Sequence, residues 1–208
     1  MKKIARILTA AVVAAGSVMG LAPAAQAAPG NTVLIGDSYF ANTTLNQILD
    51  AKRSGKRKCI HGKFRVATEL QRLTGAHIDD YSCNGKELYL GREPLEARVD
   101  QAIRDGKLNR NTRNVPIMVG ANDVTARNSP LPSARRLGDA VHALVDEGAK
   151  VVVGTCPDFG VVTAIPQPLR MVLRRWGLTL AAAQRSAVRA AGGEQHAQAA
   201  EITAKMYV

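Results

Sequence analysis

The sequence predicts an α/β protein, a three-layer α/β/α sandwich around a parallel sheet. Short apolar runs rich in β-branched residues alternate with longer segments of helical periodicity. The clearest of these runs cover residues 32–35, 115–119 and 150–153. Because each run is apolar throughout, it is typical of a buried parallel strand, and right-handed crossovers then place helices on both faces of the sheet.

The segments between these runs predict the helical layers. One helix is expected from Tyr39, and others cover residues 63–73, 93–103, 133–147 and 167–191. In the third of these, Leu95, Val99 and Ile103 recur every four residues, which predicts a stripe that faces the core. Weaker strand signals lie at residues 76–81 and 202–208, and the last strand and C-terminal helix are expected to be incomplete.

The N-terminus is typical of a secretory signal peptide. Lys2, Lys3 and Arg6 precede an apolar run at residues 7–22, which a small-residue cleavage site follows at residues 25–27. A membrane anchor is the alternative, but the run is short and rich in glycine and alanine. We therefore expect a signal peptide at residues 1–27 and one monomeric domain at residues 28–208, secreted or associated with the cell envelope.

The chain is strongly basic. Removal of Lys2, Lys3 and Arg6 lowers its formal net charge from +11 to +8. The cations are spread over many segments and aromatic residues are only 4% of the chain, so an anionic cell-envelope surface fits better than nucleic acid as a partner. The densest basic run, residues 52–58, is interpreted as a solvated loop, with a docking patch as the alternative.

Export permits a disulfide, and three cysteines leave one of them unpaired within the chain. Cys59 follows the first predicted helical region and Cys83 directly follows the second strand, so we predict a bridge between these two. Cys156 is either free or paired beyond this chain.

Three short motifs fall at the ends of three predicted strands. Gly36-Asp37-Ser38 places a serine at a sharp turn into a helix, which makes Ser38 a candidate nucleophile, although an ordinary N-cap serine is the alternative. Gly85 lies in a turn after the second strand, where its N–H can approach a substrate oxygen. Asn122 follows the third strand and can donate its side-chain amide to the same oxygen, or cap a turn.

In their order and spacing, the Gly-Asp-Ser, Gly and Gly-x-Asn-Asp elements resemble the SGNH hydrolases, also called GDSL-type lipases and esterases, and in particular their secreted actinobacterial branch. The resemblance covers residues 32–193. It implies a flavodoxin-like hydrolase fold and ester cleavage through a seryl intermediate. It also implies an oxyanion hole from the Ser38 and Gly85 N–H groups and the Asn122 side chain, with no metal and no cofactor.

The general base of this family is the histidine of an Asp-x-x-His element after the last strand, and the sequence does not identify one. The literal match, Asp139 to His142, lies within a predicted helix that runs away from the strand ends. His196 lacks the aspartate, and His61 and His77 precede the second motif without a supporting pattern. We expect the chain to be truncated shortly before its own Asp-x-x-His element, and therefore to have very low activity.

The sequence thus favours a secreted serine ester hydrolase that acts on a small-molecule or lipid ester. A non-catalytic envelope-binding relative and an acyltransferase to an envelope glycan are the alternatives. Leu88, Tyr89, Leu90 and Ile165 are candidates for an acyl pocket, or are ordinary loop anchors.

Overall fold

A parallel β-sheet with helices packed against it organises the structure, a computed structural model that describes residues 30–55, 59–84 and 94–200. The sheet order is β2-β1-β3-β4-β5, with every neighbouring pair parallel. The predicted α/β/α fold class is confirmed. The strands are β1 (Asn31–Gly36), β2 (Ile78–Asp80), β3 (Thr112–Met118), β4 (Lys150–Gly154) and β5 (Ala197–Ala200). The helices are α1 (Ser38–Ala41), α2 (Leu45–Arg53), α3 (Val66–Thr74), α4 (Leu95–Arg104), α5 (Ala121–Ala126), α6 (Pro130–Asp146) and α7 (Leu169–His196), with a 3₁₀ turn at Phe159–Val161.

The main core lies on one face of the sheet. Alternate residues of β1, β3 and β4 point into it, and α4, α6 and α7 cover it. A smaller cluster on the opposite face joins Leu34 to Ala67 of α3 and Ile78 of β2. Val152 of β4 is 43% exposed, so this second face is covered less completely at β4 than the apolar run predicts.

Two helix predictions are wrong in detail. The helix expected from Tyr39 is split, because Asn42 adopts a left-handed conformation (φ 45°) that ends α1 after one turn. Ile103 is 52% exposed, and the buried position is taken by Ala102. Steps of four residues drift about 40° around a helix, whereas seven residues from Leu95 return to nearly the same direction, which is where Ala102 lies.

The C-terminal boundaries also differ from those predicted. Helix α7 continues through Gly192 and Gly193 instead of ending there, and β5 begins at Ala197, before the predicted strand at residues 202–208. His196, which was expected in a loop or at a helix start, is the last residue of α7. Residues 201–208, the predicted signal peptide and residues 56–58 of the basic run lie outside the described residues. Within the described ranges, none of the helices combines the length and the apolar character needed to span a bilayer.

The predicted disulfide between Cys59 and Cys83 is present, and Cys156 is free and buried. The bridge joins the segment after α2 to the segment after β2. The Cys83 N–H donates to the Gly36 carbonyl (2.8 Å), so the bridge is attached beside the carboxyl end of β1.

Removal of the disulfide should destabilise the fold. The bridged residues are 24 apart, and closing a loop of this size stabilises a fold by about 3 kcal/mol through the entropy of the unfolded chain. We expect the Cys59→Ser/Cys83→Ser variant to lose roughly this free energy of unfolding in urea. A reductant should lower the unfolding midpoint of the wild type but leave that of the variant unchanged. Equal sensitivity of both proteins to reductant would contradict the prediction.

Candidate active site

The carboxyl ends of three strands meet around the turn that carries Ser38. The Asp37 N–H donates to the Met118 carbonyl at the end of β3 (3.0 Å), and β1 pairs with β3 through Gly36 and Met118. On the other side of β1, the segment after β2 bonds to the Gly36 carbonyl. This is the edge of an open parallel sheet at which ligands bind.

Ser38 is the first residue of α1 and is half-buried. An N–H group in the first turn of a helix has no acceptor within the helix, so the Ser38 N–H is oriented outward from the turn. Asp37 caps the helix, because its Oδ1 accepts from the Tyr39 N–H (2.9 Å). Since α1 contains only four residues, its dipole adds little to what the N–H supplies.

Asn122 is the second residue of α5 and is half-buried. Gly120 precedes this helix with φ 129°, a conformation that L side chains rarely adopt. A Cβ there would also lie 2.8 Å from the Gln184 Nε2, which explains the glycine. The Ala121 backbone N–H lies near enough to the Asp37 carboxyl group to lower its pKa slightly, although burial dominates and raises it. The helix that carries Asn122 therefore begins beside the residue before Ser38.

Gly85, the third predicted oxyanion donor, lies outside the described residues, as do Leu88, Tyr89 and Leu90. The residue before it is anchored, because the Thr43 hydroxyl donates to the Asn84 Oδ1 (2.7 Å). Ile165 is partly buried and packs against the main core. The structure thus brings the turns of Ser38 and Asn122 together, whereas the position of Gly85 stays a prediction.

Two buried carboxyl groups lie next to the turns of Ser38 and Asn122. Their burial was not predicted from the sequence. Asp37 and Asp123 are both fully buried. The pKa of Asp37 is raised to about 7, mainly by burial. The bond from the Tyr39 N–H lowers this pKa, whereas the nearby charge of Asp123 raises it. Burial likewise raises the pKa of the Cys156 thiol, with smaller contributions from the same two carboxylates.

Asp123 is held by its own polar partners. Its Oδ1 accepts from the Ser133 hydroxyl (3.0 Å) and from the Asn128 side-chain amide (3.1 Å). The Asn128 carbonyl in turn accepts from the Trp176 indole N–H of α7 (2.9 Å). The intervals of five residues between Asp123, Asn128 and Ser133 match no helix or strand periodicity, so the sequence carries no signal of this network.

Gln184 is a further buried residue that the sequence analysis missed. It lies on α7, accepts from the Cys156 N–H (2.7 Å) and donates to the Val119 carbonyl (2.9 Å). It therefore ties the segment after β4 to the end of β3. Nothing in its sequence surroundings distinguishes it from an ordinary helix glutamine.

The histidines whose side chains are described contact partners other than Ser38. His142 lies in α6 between the Ala191 carbonyl and Asp146. His77 contacts Asp79, and the His61 Nε2 lies 2.9 Å from the Ser82 carbonyl and 3.7 Å from Asp80. Among the described residues there is also no group of three or more histidine, cysteine or acidic side chains that could hold a metal.

Comparison with solved structures identifies the fold as that of the SGNH hydrolases. A Streptomyces rimosus extracellular lipase aligns at 14% identity, with a TM-score of 0.52 over 84% of this chain and 80% of that one. A Sinorhizobium meliloti carbohydrate acetylesterase family member aligns at 18% (TM-score 0.51, 82% of each chain). A Slackia heliotrinireducens protein described as an SGNH hydrolase also aligns at 18% (TM-score 0.50, 85% and 81%).

In sequence, the chain is similar to the GDSL-like esterase Rv1075c of Mycobacterium tuberculosis. The two are 62% identical over 77 residues, which is 37% of this chain and 24% of that protein. The chain thus matches about a quarter of the length of this curated relative. No family model matches the chain. The predicted resemblance to the SGNH hydrolases is confirmed by the fold and by this segment.

The raised pKa of Asp37 predicts a pH-dependent stability that Asp37→Asn should remove. The folded protein holds the proton up to about pH 7, whereas the unfolded chain releases it near pH 3.8. Folding then takes up a proton between these values, so the wild type should lose stability as the pH rises through this window, by about 1.4 kcal/mol per unit of pKa difference. The measurement is urea unfolding of both proteins from pH 4 to pH 8.

The control for this prediction is Asp50→Asn, which changes an exposed carboxylate of α2. It should leave the wild-type pH dependence intact. Parallel stability curves for the wild type and Asp37→Asn would show that Asp37 does not bind a proton on folding.

Proposed function

We propose that this protein is a serine ester hydrolase that cleaves carboxylic esters through a seryl acyl-enzyme, with Ser38 as nucleophile. One observation carries the proposal: the Asp37 N–H bonds to the Met118 carbonyl at the end of β3, and α5 begins three residues later, so the serine turn and the helix of Asn122 lie at the same sheet edge. A hydroxyl and an amide donor so placed can act on one carbonyl group.

The proposed reaction uses Ser38 and Asn122 together with the predicted donor Gly85. The Ser38 Oγ attacks the ester carbonyl carbon and gives up its proton to a general base. The negative charge then develops on the carbonyl oxygen, where the Ser38 N–H, the Asn122 amide and the Gly85 N–H donate to it. Collapse of this intermediate releases the alcohol, which takes up the proton, and leaves the acyl group on Ser38. Water then attacks the acyl-enzyme by the same steps and restores the serine.

The relatives support an ester as the substrate class. The curated relative is called an esterase, and structural neighbours are called a lipase and a carbohydrate acetylesterase. These names share the ester bond but differ in acyl and alcohol groups. We therefore propose a small-molecule or lipid ester and commit to no chain length.

We also propose that the protein is exported. The Cys59–Cys83 bridge supports this, because disulfides persist in oxidising compartments. The basic, apolar and small-residue order of residues 1–27 supports it independently.

A non-catalytic relative that binds envelope esters is the second candidate. The observation that favours it is the engagement of the described histidine side chains with partners other than Ser38. The two functions differ in one measurable respect, which is turnover that depends on the serine hydroxyl.

The test is hydrolysis of short-chain p-nitrophenyl esters by this chain, with and without added imidazole. Turnover that Ser38→Ala abolishes supports the hydrolase. Stimulation of this turnover by imidazole would show that a base from solution can accept the Ser38 proton. Ser54→Ala, which changes a hydroxyl that bonds within its own turn, is the matched control. Ester binding with no serine-dependent turnover in any arm would support the binding protein instead.

Asn122→Ala should slow the reaction without unfolding the protein. Loss of one oxyanion donor typically costs about 2.7–4 kcal/mol of transition-state stabilisation, or a fall in kcat of about a hundredfold to a thousandfold. Because such a donor acts mainly in the transition state, KM should change little. Thr125→Ala on the same helix, whose hydroxyl bonds to the Asn122 carbonyl, is the control. A fall in kcat of similar size in both variants would show that the helix, not the amide, is responsible.

A further inference from the structure

The first three turns of α7 expose several apolar side chains on one side of the helix. Met171, Val172 and Leu178 are between 47% and 56% exposed. We call this surface, together with Arg175, the outer face of α7. The opposite side of the same turns is buried through Leu173, Gly177 and Leu180.

The outer face is also cationic. Residues 169–193 contain five arginines and no aspartate or glutamate. Arg175 is exposed and lies between Met171 and Leu178 on one side of the helix, because these residues are four and three positions apart. Arg174 beside them contacts Asp158 (3.3 Å). Apolar side chains beside a basic residue on one exposed helix face are typical of helices that lie in the surface of a bilayer.

The face lies at the same edge of the sheet as Ser38. On the inner side of α7, a Cβ at Gly177 would lie 3.1 Å from the Pro157 carbonyl and 3.6 Å from the Cys156 Sγ, and these residues follow the carboxyl end of β4. Trp176, one position earlier, donates to Asn128, which binds Asp123 beneath the candidate site. Contact through the outer face would therefore bring this edge close to a lipid surface.

We propose that the outer face of α7 binds an anionic lipid surface. Met171, Val172 and Leu178 enter the boundary between headgroups and acyl chains, and Arg175 pairs with lipid phosphates. Charge selects this occupant over a second copy of the chain, because residues 169–193 of a second copy would bring further arginines and no acidic side chain to pair with Arg175. The binding step does not depend on the proposed hydrolase chemistry.

The experiment is flotation of the full chain with vesicles of equal parts phosphatidylglycerol and phosphatidylcholine, and with vesicles of phosphatidylcholine alone. The wild type should bind the anionic vesicles, and salt should weaken the binding. Arg175→Glu should lower the partition coefficient about tenfold or more, since it reverses one charge at the surface. Leu178→Glu should lower it by a similar factor, because it removes buried apolar area and adds a negative charge.

Two matched controls locate the effect. Arg189→Glu makes the same charge change at an exposed position farther along α7. Leu73→Glu makes the same leucine substitution on α3, which packs on the opposite face of the sheet. Both variants should retain most of the wild-type binding to anionic vesicles, and so should Ser38→Ala. Binding that persists in Ser38→Ala without hydrolysis would separate this proposal from the proposed function.

Three results would overturn the proposal. The first is equal binding of the wild type to both kinds of vesicle, or no binding to either. The second is an equal loss of vesicle binding in Arg175→Glu and Arg189→Glu, which would show that net charge alone attracts the chain to the vesicles. The third is a dimer in light scattering that Leu178→Glu dissociates, which would assign the face to a second copy.

Discussion

The bonds of Asp37 are the constraint on which the candidate site depends. Its N–H is held by the Met118 carbonyl, while its carboxylate accepts from the Tyr39 N–H and lies near the Ala121 N–H. One residue thus joins the end of β3 to the start of α1, next to the point where α5 begins. An oxyanion site requires donors that are in position before charge develops, and backbone bonds of this kind hold them there.

This arrangement places two carboxyl groups in the interior, which is costly unless each is protonated or well bonded. The protein treats the two differently. Asp123 receives donors from Asn128 and Ser133, whereas the pKa of Asp37 is raised mainly by burial. The Asp37 carboxyl group therefore helps to hold the turn of Ser38 through its bond from the Tyr39 N–H, and protonation of Asp37 can alter this bond.

The sequence predicted the parts of the fold that depend on patterns within one segment. Apolar runs located β1, β3 and β4, and glycine-bounded motifs located Ser38 and Asn122 at their ends. Prediction from the sequence failed where the local structure depends on a residue far away in the chain or on a single backbone dihedral angle. Gln184 acts across 65 residues of sequence on Val119, and the left-handed Asn42 divides a helix that periodicity would continue. The burial of Asp37 could not be predicted because it depends on how α5 packs.

Helix α7 connects the interior of the site to the outer surface. Its inner side supplies Gln184 to the ends of β3 and β4, and Gly177 allows it to pack closely on the segment after β4. Its outer side carries the exposed apolar residues and Arg175. Because interiors are close-packed, a helix held this tightly cannot shift outward without disturbing the polar network beneath Ser38. A lipid surface that binds α7 would therefore orient the candidate site as one unit with the helix. It would not need to move the helix away from the sheet.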